Sequence, residues 1–353
     1  MEGKDFLRGQ LPALLEAAAK IGRESPAFAT VAFHSLRVLT EMGRKDEARS
    51  RLDALLPQSN SLPVSSLNLF LSLRMRLSQN LDQFLKYAQR SPATISLNED
   101  GQELPMSMAD VPELKPFASG RTCFDVDSAA VLNLRLPLAL LKNASSSTVL
   151  PGHLRGLTAL AAWTRAVVLE DEQTAVALAP MVQSLVPDLK GPMSAYLAAD
   201  SGEGRKFAAI YLMLNYPGVR PFVVSGIGRR EKTGELSDFR DNWWCVPEAR
   251  ELAAAFSPDF LSESQRASAT AESKKVAMPG AAPNYLCAET VKWADARPAD
   301  ARVPEALHLA VRATRYGCTD DQTGKFSKQA FDMLHKRFPK SPWAVKTKYW
   351  FKG

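Results

Sequence analysis

Residues Ala29–Pro57, ATVAFHSLRVLTEMGRKDEARSRLDALLP, predict two helices joined by a tight turn. Apolar side chains recur in the first half at three- and four-residue intervals, the period of a helix with one buried face: Val31, Leu36, Val38 and Leu39. Gly43 ends the first helix, and Pro57 stops the second. Ala48 is a small residue on the second buried face, where it lets two helix backbones approach closely. The stretch therefore predicts a helical hairpin.

Helical periodicity continues outward along most of the chain, and it never alternates with strands in the manner of a βαβ fold. Two long segments interrupt the pattern, at 91–126 and 216–246, where Pro and Gly occur at irregular spacing. Within the second segment, RPFVVSGIG, residues 220–228, is the only plausible strand. The predicted helices include 127–142, 247–256 and 341–351. The sequence therefore predicts an all-α protein.

We expect this all-α chain to have four parts. These are an N-terminal helical array at 1–90, a linker at 91–126, a central helical bundle with one irregular loop at 127–246, and C-terminal helical repeats at 247–353.

The composition is typical of a folded globular protein, since 46% of the 353 residues are hydrophobic and 23% are charged. No run approaches the ~18–20 apolar residues that cross a bilayer, so the sequence predicts no membrane span. The first residues carry charge throughout and lack the apolar core of a secretion signal. We expect neither a membrane anchor nor a secretion signal in this chain. The alternative that a leader was removed from a longer chain stays open.

The four cysteines, Cys123, Cys245, Cys287 and Cys318, contain no C-x-x-C pair. This spacing excludes the usual zinc and thiol-redox motifs. Cys287 and Cys318 would lie near the same end of an antiparallel helical hairpin, so a disulfide between them is one interpretation. Ordinary buried thiols are the other.

Positive charge is concentrated at the end of the chain. Residues 325–353 contain eight Lys or Arg side chains and one acid, whereas the other 324 residues contain 36 basic and 37 acidic side chains. The sequence predicts a near-neutral body with a basic C-terminal segment. Four of its cations are candidates for contact with an acidic or anionic partner: Lys336, Arg337, Lys346 and Lys348.

Two stretches resemble tetratricopeptide repeats. In the first, Ala29–Pro57, the family's small and large packing positions are occupied by Ala32, Leu36, Gly43, Ala48 and Leu52. The second, Lys325–Phe351, is similar to tetratricopeptide repeats of bacterial cell-envelope proteins. Its matching residues are Ala330, Phe331, Leu334, Phe338, Pro339, Ser341 and Ala344, and Thr347 stands where the family has a small alanine. The resemblance implies stacked helix pairs, an α-solenoid or helical bundle, and function through protein contacts.

Motifs for chemistry are weak. SGEGRK at 201–206 lacks both the spacing and the preceding strand of a phosphate loop. His308 shares a helical stripe with Glu305, Arg312 and Arg315, which predicts a face toward solvent or a groove. Glu305 and His308 have the spacing of half a carboxylate-bridged metal site, but no second copy occurs. The sequence therefore predicts no cofactor and no metal, and it nominates no catalytic residue.

The stretch DFRDNWWC, Asp238–Cys245, places two tryptophans beside charged residues and before the predicted helix at 247–256. One interpretation is a structural plug, because tryptophan buries a large apolar area and needs one partner for its N–H. The other is a groove for a ligand or partner, lined by Arg240, Asp241, Trp243 and Trp244.

The most plausible function is that of a non-catalytic scaffold or adaptor that binds another protein, in a bacterial cell envelope as the resemblance implies. The alternative is binding of an anionic polymer, nucleic acid or glycan, through the basic C-terminal repeat. A third hypothesis is an enzyme with a site near the 216–246 loop. The compartment stays open, with the periplasm or envelope favoured over the cytoplasm if a leader was removed.

Overall fold

The structure is a computed structural model. It describes residues 2–58, 62–93, 112, 115–229, 231–238, 242–247 and 255–352, with side chains from residue 10 onward. Most of the predicted helix at 247–256 lies outside the described residues, as do Arg240 and Asp241.

The described residues form seventeen α-helices and almost no strand, which confirms the all-α prediction. Six helices precede residue 120: α1 Glu2–Ala19, α2 Phe28–Glu41, α3 Lys45–Leu55, α4 Val64–Arg76, α5 Leu81–Ala88 and α6 Lys115–Ala118. Six more follow up to residue 215: α7 Val126–Leu134, α8 Leu138–Ser146, α9 Gly152–Val168, α10 Glu172–Leu185, α11 Lys190–Leu197 and α12 Gly202–Asn215. The last five are α13 Glu263–Ala277, α14 Ala282–Ala296, α15 Val303–Tyr316, α16 Thr323–Arg337 and α17 Pro342–Lys346.

The two described strands are two residues long, β1 Gln89–Arg90 and β2 Cys123–Phe124, and they pair antiparallel. The stretch at 220–228 forms no strand, so that prediction was wrong. No described helix is both long enough and apolar enough to cross a bilayer.

The chain divides into two compact units. The first contains Met1–Ser128 with Pro258–Phe260, and the second contains Ala129–Ser257 with Leu261–Gly353. The finer division into four parts stays a prediction.

The first unit has its core between α1, α2, α3 and α4. Leu39, Ala48 and Leu52 are fully buried there, as the opening stretch predicts. Arg74 is buried beside this core, and its guanidinium donates to both carboxylate oxygens of Asp53, at 2.7 and 3.2 Å. This bidentate contact pairs the buried guanidinium of Arg74 with the half-exposed carboxylate of Asp53.

The second unit is built around α9, which is buried on nearly all sides and packs against α8 and α10. From Leu157 to Val168 its sequence is mostly apolar, the composition expected of a central helix. Arg165 is the exception, because its buried guanidinium donates to the carbonyls of Asn133, Leu136 and Pro221. Burial lowers the pKa of Arg165 to about 10. The side chain thus joins α9 to the turn before α8 and to the irregular segment after α12.

The segment after α12 lacks regular structure but is held by side chains. The amide of Asn133 donates to the carbonyl of Val223 at 3.0 Å and accepts from its N–H at 2.7 Å. The side-chain amide of Asn133 thus satisfies both backbone polar groups of Val223, which a neighbouring strand would otherwise do.

Two predicted helices differ from the structure. The predicted helix 127–142 is two helices, because Pro137 lies between α7 and α8 in an extended conformation. The predicted helix 341–351 is also wrong, since α17 ends at Lys346 and the chain continues without regular structure to residue 352. Trp343 and Trp350 therefore do not share a helical face.

The cysteines also correct an expectation. Cys318 forms a disulfide with Cys245 and not with Cys287, and the two Cα atoms lie 5.3 Å apart. Cys123 and Cys287 are free and buried. A helical-hairpin argument could not find Cys245, because this cysteine belongs to the irregular segment and lies 73 residues away in sequence.

We predict that the Cys245→Ser/Cys318→Ser double variant has a lower free energy of unfolding of the second unit, by roughly 2–4 kcal/mol, because the cross-link restricts the unfolded chain. Thermal or urea unfolding without reductant measures the change. Reductant should destabilise the wild type and leave the double variant unaffected. Equal stability of the two proteins without reductant would contradict the prediction.

Candidate functional site

The last residues of the chain cross the C-terminal helices as an extended segment that begins at the fully buried Thr347. The Thr347 hydroxyl donates to the carbonyl of Trp343 at 2.8 Å and lies 2.7 Å from Nδ1 of His308. Since the hydroxyl has one hydrogen, Nδ1 of His308 is the donor to Thr347. His335 holds the same residue from α16, where its Nε2 donates to the Thr347 carbonyl at 2.7 Å. Two helices therefore fix the start of this segment.

Beyond Thr347 the segment runs back along α16. The Trp350 ring packs on Phe331 with centroids 5.0 Å apart, and the N–H of Phe351 donates to Ser327 Oγ at 3.0 Å. At Gly324 a Cβ would lie 2.8 Å from the carbonyl oxygen of Lys352, so only glycine permits this approach. The segment is thus a packed part of the fold.

The outer side of this region is strongly basic. We define the C-terminal basic surface by five cations on α15, α17 and the extended segment: Arg312, Arg315, Lys346, Lys348 and Lys352. Among the described residues, none of the five forms an ion pair with a carboxylate. The Nε atom of Arg315 is buried and has no hydrogen-bond partner. These five cations therefore carry positive charge that no described carboxylate pairs with, and three of them, Arg312, Arg315 and Lys346, lie near His308.

The pKa of His308 reports this charge. It is lowered by burial first and then by the positive charges of Arg312, Arg315 and Lys346, against a smaller opposing effect of Glu305. Three cations from two elements therefore lie within electrostatic range of one imidazole. The lowered pKa favours the neutral imidazole, whose Nδ1–H donates to Thr347.

Aromatic rings lie beneath three of the five cations, Arg315, Lys346 and Lys352. Lys346 stands 4.5 Å from the Trp343 ring centroid, and Arg315 stands 4.8 Å from that of Tyr349. Lys328 and Lys352 lie 5.4 and 5.5 Å from the Trp350 ring. Two apolar side chains remain largely exposed beside them, Val345 at 68% and Tyr349 at 58%.

The four basic residues predicted for partner contact differ in their exposure and in their pairing. Lys346 and Lys348 are exposed on the C-terminal basic surface. Lys336 is exposed, but Arg337 is bound to α14, where its guanidinium pairs with Asp295 and donates to the carbonyl of Ala294 at 3.1 Å. The structure therefore does not gather all four basic residues into one free patch.

The two tryptophans of the DFRDNWWC stretch are buried, Trp243 at 1% and Trp244 at 4% exposure. The indole N–H of Trp243 donates to the carbonyl of Met213 on α12 at 2.9 Å, and the Trp244 carbonyl accepts from Ala282 at the start of α14 at 3.2 Å. Both rings pack inside the unit, as the structural interpretation requires.

The neighbours of Trp243 extend these ties to α15. The side-chain amide of Asn242 donates to the carbonyl of Tyr316, the last residue of α15, at 3.0 Å. A Cβ at Gly317 would lie 2.8 Å from Pro283 and 3.2 Å from the Trp243 Cβ, so glycine lets the indole approach the helix end. Cys245 then closes the disulfide to Cys318. Four residues, 242–245, thus hold three helices together.

Sequence reasoning did not name Arg312, Arg315 or Thr347 as site residues. The stripe of Glu305, His308, Arg312 and Arg315 was the available signal, and it faces a groove that the C-terminal segment fills. Glu305 points elsewhere and accepts from the Tyr211 hydroxyl at 2.6 Å.

The two free thiols, Cys123 and Cys287, are buried. Burial raises the pKa of both free thiols, Cys123 and Cys287, which disfavours a nucleophilic thiolate. The described residues contain no group of three His, Cys, Asp or Glu side chains that could hold a metal ion.

Comparison of the chain with protein-family models, curated proteins and solved structures finds no match.

We predict that Trp243→Ala destabilises the second unit by about 3–5 kcal/mol, since it leaves a cavity and an unpaired carbonyl on α12. Trp243→Phe keeps most of the volume and should lose less. Thermal unfolding followed by near-ultraviolet circular dichroism measures both variants. Unchanged stability of Trp243→Ala, together with loss of a binding activity, would favour the groove interpretation instead.

We also predict that His308 makes the protein less stable in acid. Because its pKa is lowered in the fold, the unfolded chain takes up a proton first as the pH falls through the ordinary histidine range, near 6.5. The free energy of unfolding should fall more steeply between pH 7.5 and 5.5 in the wild type than in His308→Gln. Parallel pH profiles of the two proteins in urea unfolding would contradict this assignment.

Proposed function

We propose that this protein is a non-catalytic adaptor of the tetratricopeptide-like class, and that its C-terminal basic surface binds an acidic segment of another protein. The observation that carries the proposal is the set of five cations without carboxylate partners, beside the exposed Val345 and Tyr349. Charge without an internal partner favours a complementary partner, and adjacent apolar side chains add affinity on burial.

The packing of the last helices supports the class. Helix α14 contacts both α15 and α16, α15 contacts α16 and α17, and α16 contacts α17. Each helix thus meets the next and the next but one, the arrangement in which helix pairs stack and leave an extended surface.

The arrangement of rings favours a protein partner over a single-stranded nucleic acid. Single-strand binders use open aromatic faces on which bases stack. Here lysines lie over Trp343 and Trp350, and Arg315 lies over Tyr349. Covered faces are less suited to stacking, whereas the cations remain available to carboxylates at the surface.

A bacterial cell envelope is part of this proposal. The Cys245–Cys318 disulfide supports an oxidising compartment, because such bonds persist mainly outside the cytosol.

The test compares two probes of equal charge, an Asp/Glu-rich peptide with interspersed Leu and Tyr, and a single-stranded oligodeoxynucleotide. Fluorescence anisotropy measures both against the wild type and against the Arg312→Gln/Lys346→Gln/Lys348→Gln variant. We expect the variant to bind the peptide about tenfold more weakly, since each exposed charge pair contributes about 0.5 kcal/mol. Binding should also weaken with salt.

The matched control is Lys20→Gln/Lys190→Gln/Lys274→Gln, which removes three exposed cations that do not belong to this surface. It should bind the peptide like the wild type. Tighter binding of the oligonucleotide would favour the anionic-polymer alternative. Equal peptide binding by the surface variant and the wild type would contradict the proposal.

A further inference from the structure

A second candidate site is a cleft of about 600 Å³ in the second unit, which shares no residue with the C-terminal basic surface. The end of α9, the starts of α10 and α12, and parts of α11 and α14 line it. This volume lies in the range of small-molecule sites in proteins.

The floor of the cleft is apolar. Val167, Ala175 and Tyr196 line it, and each is almost fully buried in the fold. Tyr196 is held by an edge-to-face contact with Trp163, whose ring centroid lies 5.3 Å away. The floor is therefore rigid and suited to an aliphatic or aromatic side chain of a ligand.

The rim is charged, and most of its charges are paired. Lys206 binds Glu170 at 2.8 Å and Glu289 at 2.9 Å, and Arg205 binds Glu172 at 2.8 Å. These ion pairs connect α12 to the turn after α9, to α10 and to α14. They build the walls of the cleft and leave little charge of their own for a ligand.

Two rim residues lack such partners, and they have opposite charge. Glu203 on α12 and Lys292 on α14 both line the cleft and the hollow of about 100 Å³ that adjoins it. Both side chains are exposed, and no described residue forms an ion pair with either. One carboxylate and one ammonium group, neither in an ion pair with a described residue, thus lie at the same opening, and Lys292 is also within electrostatic range of Glu170.

The backbone beside this rim is strained. Glu170 has φ of 63°, and among the described residues it is the only non-glycine with a positive φ. Glu170 follows the last turn of α9. Its N–H donates to the carbonyl of Val167, and the N–H of Asp171 donates to the carbonyl of Ala166. Glycine is usual at this position, because a residue with a Cβ is strained there. The Glu170 carboxylate binds Lys206 in the wall of the cleft, and this hydrogen bond lowers the pKa of Glu170.

From this cleft we propose a binding site for a zwitterion, namely an amino acid or a short peptide with an apolar side chain. The ligand's ammonium group binds Glu203, its carboxylate binds Lys292, and its side chain covers the floor at Val167, Ala175 and Tyr196. A ligand with one charge satisfies only one of the two rim groups. The site therefore selects for both charges on one small molecule.

Isothermal titration calorimetry on the full chain tests this site with leucine and with Leu-Leu, which separates the amino acid from the peptide. The single-charge analogues are isoamylamine and 4-methylpentanoate. We expect one of the two zwitterions to bind at least about tenfold more tightly than either analogue, the difference that one partly buried charge pair makes. Glu203→Gln and Lys292→Gln should each weaken that binding by a similar factor.

The matched controls are Glu263→Gln and Lys274→Gln, two exposed charges on α13 that lie outside the cleft. Both should bind like the wild type. The proposal is overturned if neither zwitterion binds at millimolar concentration, or if both rim variants bind as tightly as the wild type. Neither outcome bears on the C-terminal basic surface, which shares no residue with this cleft.

Discussion

Burial of Trp243 is the interaction on which the second unit depends. Its ring occupies the place where α12, α14 and the end of α15 meet, and its N–H satisfies the carbonyl of Met213. The adjacent disulfide and the Asn242 amide tie the same short segment to the end of α15. An irregular chain thereby supplies the contacts that helices of this length cannot make among themselves, since most helical stability comes from tertiary packing.

This arrangement positions both candidate sites. Helix α15 is held at one end by residues 242–245, and it presents His308, Arg312 and Arg315 to the C-terminal segment. Helix α12 accepts the Trp243 N–H near its end and carries Arg205 and Lys206 near its start, at the cleft. The basic surface is rich in uncompensated charge, whereas the cleft is nearly neutral, so the two would select different ligands.

Apolar periodicity was sufficient to predict much of the fold, because the spacing of apolar residues along a helix is a local property of the sequence. Apolar spacing predicted most helices, including the fully buried Leu39 and Leu52 of the opening stretch. It failed at Pro137, where one predicted helix is two, and after Lys346, where Thr347 bonds two histidines and leaves the helix. In the second case a tertiary hydrogen-bond network outweighs local helical preference.

The sequence by itself determined that the chain is helical, that its basic charge lies at the C-terminal end, and that paired cysteine motifs are missing, because each property depends on composition or on neighbours within one or two turns. Only the tertiary structure decided which cysteine pairs with Cys318, which cations stay unpaired, and that Glu203 and Lys292 share an opening. These relations join residues far apart in sequence. The packing of whole helices determines which of these residues lie close together in space, and no local sequence pattern does.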